Sequence, residues 1–363
     1  MKTRIALIFL TFISVNVGAQ TTKTENVFII TLDGYRWQEL YTGADPALVK
    51  NEKYVSDPEN LTDLFWKDDP EKRREVLMPF FWSTIATEGQ LYGNRAYNNK
   101  VNCTNTMWFS YPGYNEILTG FSDDERIKSN AKINNPNTTV LEFVNKQPAL
   151  KEKVAVFGSW DVFPFIINEK RSGVPVNAGF ESAEGTGLSA REVFLNELQR
   201  EIPGPWDEVR LDAFTHHYAW EYVKRKEPRL VYIGYGETDD FAHDGNYSAY
   251  LKSAHRTDQF IEQLWNWVQS NDHYKNKTTF IITTDHGRGT DPLDTWRSHG
   301  NEVRGSGEIW FAVIGPDTTG KGEIKKEGQY FQNQIAATVA TFLKVKYTNE
   351  KKVGKQIDEV MDR

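Results

Sequence analysis

Acidic and imidazole side chains stand near the ends of short apolar runs in this sequence. They are Asp33, Asp239, His243, Asp285, His286 and His299. Because ligands collect where parallel strands end, these side chains would meet at one edge of a sheet. Without a counter-charge they would repel and desolvate one another there. Divalent metal ions supply such a charge, so the pattern predicts a metal site.

The spacing of these residues divides them between two ions. Asp239 and His243 are four residues apart, so one helical turn puts both on the same side, suited to one ion. Asp285 and His286 are adjacent and need help from another segment, for which Asp33 is the candidate. Carboxylate and imidazole ligands without thiolate favour Zn²⁺, with manganese or iron as substitutes. Cys103 is the only cysteine, which excludes an intramolecular disulfide and a cysteine-rich zinc module.

Ser110 is the candidate nucleophile for such a site. It precedes a Pro-Gly pair and a short apolar segment that we expect to be helical. A hydroxyl at a helix N-terminus meets backbone N–H donors and the positive end of the helix dipole, which favour an alkoxide and an anion. The alternative is that Ser110 is an ordinary N-cap residue. A metal ion bound near the hydroxyl would favour the interpretation of Ser110 as a nucleophile over that of an N-cap residue.

The elements that must position these residues alternate along the chain. Wholly apolar runs predict buried strands at residues 27–32, 154–157, 230–235, 279–283 and 309–314. Helical periodicity predicts helices at residues 211–225, 250–268 and 331–343. The alternation predicts an α/β fold with a mostly parallel central sheet and helices on both faces.

The chain divides into a leader and one catalytic domain. Residues 1–19 place Lys2 and Arg4 before an apolar run and end at Ala19, which predicts a secretory signal peptide. The alternative, a membrane anchor, is disfavoured because the run is shorter than the ~20 residues of a spanning helix. Residues 20–363 form a single domain with cap insertions at about 35–76 and 172–210. We therefore expect an exported protein, periplasmic or secreted, with no later membrane span.

The charge balance limits the class of partner. Fifty acidic residues against 43 basic ones give a formal net charge of −7. This balance argues against a general nucleic-acid-binding surface, which is normally basic. A small anionic ester held by metal ions remains compatible with it. The sequence gives no indication of oligomeric state.

The ordered set of candidate residues resembles the alkaline phosphatase superfamily, nearest its nucleotide pyrophosphatase/phosphodiesterase branch. The matching residues, in chain order, are Asp33, Ser110, Asp239, His243, Asp285, His286 and His299. That branch carries Thr or Ser before an aromatic-Pro pair and a downstream Thr-Gly, matched here by residues 110–112 and 119–120. Residues 334–340 also resemble a helix common in the superfamily. The resemblance spans about residues 26–343.

The resemblance implies an alkaline-phosphatase-like fold and a two-metal phosphoric ester hydrolase. One metal ion would be held by Asp239, His243 and His299. The second would be held by Asp33, Asp285, His286 and the Ser110 oxygen. Ser110 would attack phosphorus and form a phosphoseryl intermediate. The branch further implies phosphodiesterase or nucleotide pyrophosphatase activity.

The sequence departs from the superfamily at substrate-binding positions. Monoesterases often clamp phosphate with Lys-x-Arg, and residues 159–161 read Ser-Trp-Asp instead, which favours diesters over monoesters. The branch commonly has Asn where Gly113 stands, and Asn115 is the candidate to compensate. Trp160 and Arg288 are further candidate substrate contacts. Lys100 and Arg297 are alternative cations, although each is more often a solvated charge.

Four other functions stay open as alternatives. The first is a phosphomonoesterase. A sulfatase needs Cys or Ser in a Cys/Ser-x-Pro-x-Arg context, and Tyr114 stands where that Arg should be. A phosphoglycerate mutase-like enzyme shares the metal chemistry, but such enzymes are cytosolic. A non-catalytic relative that binds ligand is disfavoured because every metal-binding position is filled.

Overall fold

The structure is a computed structural model that describes residues 22–362. The predicted signal peptide, residues 1–19, lies outside these described residues. Within them, no helix combines the length and the apolar character that crossing a membrane requires.

The strands are β1 (Asn26–Leu32), β2 (Gln90–Tyr92), β3 (Asn99–Asn102), β4 (Val154–Gly158), β5 (Val176–Ala178), β6 (Leu230–Tyr235), β7 (Thr278–Thr283), β8 (Glu308–Ile309), β9 (Phe311–Ile314), β10 (Gly322–Glu323) and β11 (Gly328–Phe331). The helices are α1 (Trp37–Thr42), α2 (Pro58–Phe65), α3 (Pro70–Leu77), α4 (Ala86–Glu88), α5 (Ser110–Thr119), α6 (Val140–Asn145), α7 (Phe163–Ile166), α8 (Glu169–Ser172), α9 (Ala190–Glu201), α10 (Asp212–Lys226), α11 (Glu237–His243), α12 (Tyr247–Ser270) and α13 (Ile335–Phe342). Every predicted strand and helix has a counterpart among these elements.

A large sheet of eight strands organises the molecule, in the order β10-β2-β9-β7-β1-β6-β4-β5. The neighbours from β7 to β5 pair in parallel. Strand β9 is antiparallel to both β7 and β2. A second sheet of three strands has the order β11-β3-β8. The prediction of a mostly parallel central sheet is confirmed.

The predicted single strand at residues 309–314 is divided in two. Strand β8 joins the small sheet and β9 joins the large sheet, with Trp310 between them. The Trp310 ring is fully buried, and its Nε1 donates to the Tyr35 carbonyl at 2.8 Å. Residues 309–314 are all apolar, so the sequence alone does not reveal this break.

The central strand β1 shows why the sheet is covered on both faces. Phe28, Ile30 and Leu32 belong to one hydrophobic cluster, whereas Val27 and Ile29 belong to another. Successive side chains of a strand point to opposite faces, so both faces of this strand are buried. Helix α12 packs in the first cluster, and α5 and α13 pack in the second. The prediction of helices on both faces is confirmed.

The two predicted insertions form different structures. Residues 35–76 contain α1, α2 and most of α3, and their buried apolar side chains join the first cluster. Residues 172–210 contain β5, the edge strand of the large sheet, together with α9. The cap role of both segments stays a prediction.

Candidate active site

Two groups of side chains bring together atoms that can bind a metal ion. The first group is Asp239, His243 and His299, and the second group is Asp33, Asp285 and His286. In each group the candidate ligand atoms all lie within 4.8 Å of one another. The structure therefore brings together the same two sets that the sequence analysis had paired.

The register of the sheet explains why the second group converges. Strands β1 and β7 are parallel neighbours, with Thr31 opposite Thr283. Asp33 directly follows β1, while Asp285 and His286 follow β7 after one intervening residue. The chain therefore delivers these side chains to the same edge from adjacent strands.

The first group comes from a helix and a distant loop. Helix α11 begins two residues after β6, which is the other neighbour of β1. Within α11, Asp239 and His243 are one turn apart, and Asp239 Oδ2 lies 3.1 Å from His243 Nε2. His299 reaches the same point from the loop before β8, with its Nε2 2.9 Å from His243 Nε2. Because the His299 Nδ1 lies 3.3 Å from the Trp108 carbonyl, its Nε2 is the nitrogen left to bind an ion.

The second group surrounds His286 Nε2. This nitrogen lies 3.4 Å from Asp33 Oδ1, 3.5 Å from Asp285 Oδ2 and 3.4 Å from Ser110 Oγ. The other ring nitrogen, Nδ1, donates to the Gly287 carbonyl at 3.0 Å. That bond fixes the tautomer in which Nε2 carries a lone pair towards the carboxylates.

Two unpartnered oxygens test whether these residues fit a cation. Asp33 Oδ1 and Asp285 Oδ2 are buried and have no hydrogen-bond partner among the described residues. Burial and the nearby Asp239 raise the pKa of Asp33 well above its usual value. Burial and Asp33 likewise raise the pKa of Asp285. Buried carboxylates need a compensating charge, so this group fits a divalent ion, and its donor set suits zinc.

The two groups form one continuous site. His286 Nε2 lies 3.7 Å from Asp239 Oδ1, and the rings of His286 and His299 stack with centroids 4.0 Å apart. Burial raises the pKa of Asp239, but Arg288 and His243 more than offset this effect, so the pKa lies well below the usual value. Burial and His286 hold the pKa of His299 well below its usual value, which favours the neutral imidazole.

Ser110 is the first residue of α5 and is buried beside the second group. Phe109 occupies the N-cap position, so the alternative that Ser110 is an N-cap residue is wrong. The expectation of free N–H donors in the first turn is also wrong for the next two residues. The Tyr111 N–H donates to Asn130, and Pro112 has no N–H.

Three neighbours of the acidic residues were missed by the sequence analysis. The Tyr114 hydroxyl donates to Asp33 Oδ2 at 2.6 Å, and the Thr238 hydroxyl donates to the Asp33 carbonyl at 2.5 Å. The Gly34 N–H donates to Asp285 Oδ1 at 3.0 Å. Tyr114 lies four residues after Ser110, one helical turn away, and this spacing is the signal that could have found it.

The predicted substrate contacts are distributed differently. Asn115 is fully buried, and its side-chain oxygen accepts from Asn135 at 3.1 Å and Asn137 at 3.0 Å. The Arg288 side chain is also buried, and it donates to Asp239. The geometry therefore does not support these two as direct substrate contacts. Trp160 follows β4 and is partly exposed, and its role stays a prediction.

The fold, the two groups of candidate metal ligands and a match to a family model together identify the chain as a hydrolase of the alkaline phosphatase superfamily. Residues 151–345 match a family model described as Sulfatase. The match covers more than half of the chain, which therefore belongs to this family. Members of the superfamily hydrolyse phosphate or sulfate esters. A search of curated proteins found no match.

Solved structures support the same fold assignment. The alkaline phosphatase PafA is 11% identical, with a TM-score of 0.59, and the alignment covers 94% of this chain and 99% of that chain. The lipoteichoic acid synthase LtaP from Listeria monocytogenes is 11% identical, with a TM-score of 0.58 and coverage of 93% and 76%. A phosphonate monoester hydrolase of Agrobacterium radiobacter is 11% identical, with a TM-score of 0.55 and coverage of 93% and 77%. At these identities the likeness concerns the fold alone.

Proposed function

We propose that this protein is an exported phosphoric ester hydrolase that uses Ser110 as its nucleophile and two divalent metal ions, with zinc favoured. The observation that carries the proposal is the position of Ser110 Oγ, 3.4 Å from His286 Nε2 where the two metal-binding groups meet. A buried hydroxyl beside an imidazole nitrogen and two carboxylate oxygens that lack partners among the described residues is suited to activation by a cation.

Each group of side chains has a separate task in this proposal. Asp239, His243 and His299 would hold one ion, and Asp33, Asp285 and His286 would hold the other. When bound, the ions would lower the pKa of the Ser110 hydroxyl and offset charge on the attacking and leaving oxygens. The Tyr111 N–H is committed to Asn130 and Pro112 has no N–H, so neither residue supplies a donor for this charge.

The reaction proceeds by two displacements at phosphorus. Ser110 Oγ loses its proton to solvent and forms a bond to phosphorus, while the bond from phosphorus to the leaving oxygen breaks. The departing alkoxide or phosphate takes up a proton from solvent. A water molecule then attacks the phosphoseryl group, restores the serine hydroxyl and releases the phosphorylated product.

We further propose a preference for phosphodiesters or nucleotide pyrophosphates over monoesters. A dianionic monoester gains most from extra cationic contacts. Residues 159–161 lack a Lys-x-Arg clamp, and the buried Arg288 guanidinium pairs with Asp239. The assay compares bis-p-nitrophenyl phosphate with p-nitrophenyl phosphate at equal concentration. We expect a higher kcat/KM for the diester, and much faster monoester cleavage would reject the preference.

Sulfate ester hydrolysis is the second candidate, favoured by the family match. Tyr114 weighs against it because this residue stands where the sulfatase motif has Arg. Its hydroxyl is already committed to Asp33 Oδ2. We expect p-nitrophenyl sulfate to be cleaved far more slowly than either phosphate ester. The reverse order would select the sulfatase alternative.

The proposal that the protein is exported rests on the predicted signal peptide at residues 1–19. We expect N-terminal sequencing of the secreted or periplasmic protein to begin after Ala19. A mature protein that retains Lys2 and Arg4 would instead support the membrane anchor.

A further inference from the structure

Arg288 contacts the first metal-binding group without being one of its candidate ligands. It follows His286 by two residues, and its side chain is fully buried. The guanidinium Nη2 donates to Asp239 Oδ1, and it also donates to the Asp239 backbone carbonyl at 2.9 Å. A two-point attachment to one residue fixes both its backbone and its carboxylate.

This attachment leaves one Asp239 oxygen available. Oδ1 accepts from Arg288, whereas Oδ2 lies 3.1 Å from His243 Nε2 and faces the first metal-binding group. A carboxylate held by one oxygen presents the other in a defined direction. Outer hydrogen-bond partners of this kind orient metal ligands in proteins.

The surrounding chain is shaped to accommodate the guanidinium. Gly34 has a φ of +57°, and a Cβ built there would lie 2.9 Å from Arg288 Nε and 2.6 Å from Asp239 Oδ1. Any larger residue at this position would therefore disturb the pair. In the described part of the chain, Arg288 Nε and Nη1 have no hydrogen-bond partner. Asp239 is thus the residue to which this buried cation is committed.

We propose that Arg288 is a positioning residue that orients Asp239 for the metal ion of the first group. The inference rests on the metal assignment within the proposed function, and it replaces the expected role of Arg288 as a substrate contact. Asp33 and Asp285 are held by other donors, Tyr114 and the Gly34 N–H. Loss of the guanidinium should therefore weaken the first group and spare the second.

The test measures metal binding rather than turnover. We equilibrate the wild-type protein and the variants Arg288→Met and Arg288→Lys with chelator-buffered free Zn²⁺. Inductively coupled plasma mass spectrometry then measures the zinc bound per chain. We expect Arg288→Met to need about 10–100-fold more free Zn²⁺ to fill one of its two sites. Arg288→Lys keeps the charge but loses the planar guanidinium whose Nη2 reaches both Asp239 acceptors, so its zinc affinity should fall between those of wild type and Arg288→Met.

Two further variants show which site is affected. His243→Ala removes a ligand of the first group and gives the reference for one filled site. Combining it with Arg288→Met should leave the affinity of the remaining site unchanged. Arg210→Met is the matched control, because Arg210 is also a fully buried arginine but bonds to Thr215 and backbone carbonyls. Its loss should affect thermal stability without changing zinc affinity.

Unchanged zinc affinity in Arg288→Met would overturn the inference. Equal weakening of both sites would also overturn it, because that result indicates a general disturbance, and thermal melting would reveal the same disturbance. Failure of the proposed function gives a different result. A wild-type protein that binds two ions with the expected dependence on Arg288, yet cleaves no phosphate ester, would count against the phosphoric ester assignment alone.

Discussion

Asp33 and Asp285 each accept a hydrogen bond from the protein through one of their two carboxylate oxygens. Asp33 Oδ2 accepts from Tyr114, and Asp285 Oδ1 accepts from the Gly34 N–H. Asp33 Oδ1 and Asp285 Oδ2 have no hydrogen-bond partner in the part of the chain that the structure describes. Both unpartnered oxygens lie within 3.5 Å of His286 Nε2. The protein orients each carboxylate through one oxygen and exposes the other to a common point, as a preorganised cation site requires.

A single substitution can distinguish the role of Ser110 as nucleophile from the role of the metal ligands. Replacing Ser110 with Ala removes one hydroxyl and keeps the carboxylates and imidazoles in place. We expect kcat on the diester substrate to fall by roughly 10³-fold or more, while zinc content stays at the wild-type level. Steady-state kinetics and elemental analysis of the same preparation provide the measurement.

Ser253→Ala is the matched control for this substitution. Ser253 is also a buried helical serine, but its hydroxyl donates to the Tyr250 carbonyl in α12, away from the metal-binding groups. Activity should be retained in this variant. Wild-type turnover in Ser110→Ala would remove Ser110 from the mechanism.

Helix α5 holds the segment before it through one buried acid. Glu116 accepts from the Thr104 N–H at 2.8 Å and hydroxyl at 2.8 Å, and from the Asn105 N–H at 2.7 Å. Asn105 in turn accepts from the Trp108 N–H at 2.9 Å. Trp108, two residues before Ser110, has a φ of +53°, a strained conformation for a bulky side chain. The helix and this loop therefore position the serine together.

Removing the acid should disturb both stability and catalysis. Glu116→Ala leaves buried N–H and hydroxyl donors unpaired, so we expect the free energy of unfolding to fall by about 3 kcal/mol. Because the loop that leads to Ser110 loses its anchor, kcat should also fall, by about 10–100-fold. Urea unfolding and steady-state kinetics measure the two effects.

A second buried glutamate separates local from general effects. Glu142 in α6 pairs with Arg171 and Lys146. Glu142→Ala should destabilise the protein but preserve kcat below its unfolding temperature. If both variants lowered kcat equally, the positioning role of Glu116 would be rejected.

On the scale of the whole molecule, the two metal-binding groups join four distant parts of the chain. Asp33 follows β1, Asp239 follows β6, Asp285 follows β7, and His299 comes from the loop before β8. Ions bound among them would link the centre of the sheet to that loop. Ligands that bind the folded state stabilise it in proportion to the logarithm of their concentration.

Metal binding should therefore raise the melting temperature. At a free zinc concentration of about 100 times the dissociation constant, one site contributes about 2.7 kcal/mol. We expect a rise of several degrees when zinc is added to protein treated with chelator. Magnesium is the control, because it prefers oxygen ligands and should have a smaller effect. A melting temperature unaffected by both chelator and zinc would contradict the metal assignment.

Much of this organisation is visible in the amino-acid sequence. Apolar runs such as Val27–Leu32 and Leu230–Tyr235 identify strands buried on both faces, because only a covered parallel sheet tolerates them. The residues after those runs then identify Asp33 and Asp239 as neighbours, since parallel strands end at one edge. The order and spacing of these residues thus pair Asp239 with His243 and Asp33 with residues 285–286, and the family resemblance adds His299 to the first group.

Only the tertiary structure decided which other side chains surround these groups. Tyr114 and Thr238 bond to Asp33, Asn115 lies in a separate buried amide network, and Arg288 is buried against Asp239. The spacing of residues along a chain fixes which of them can meet, because strands and helices have regular periods. It does not fix the depth or direction of a polar side chain, because these depend on packing between elements that are remote in sequence.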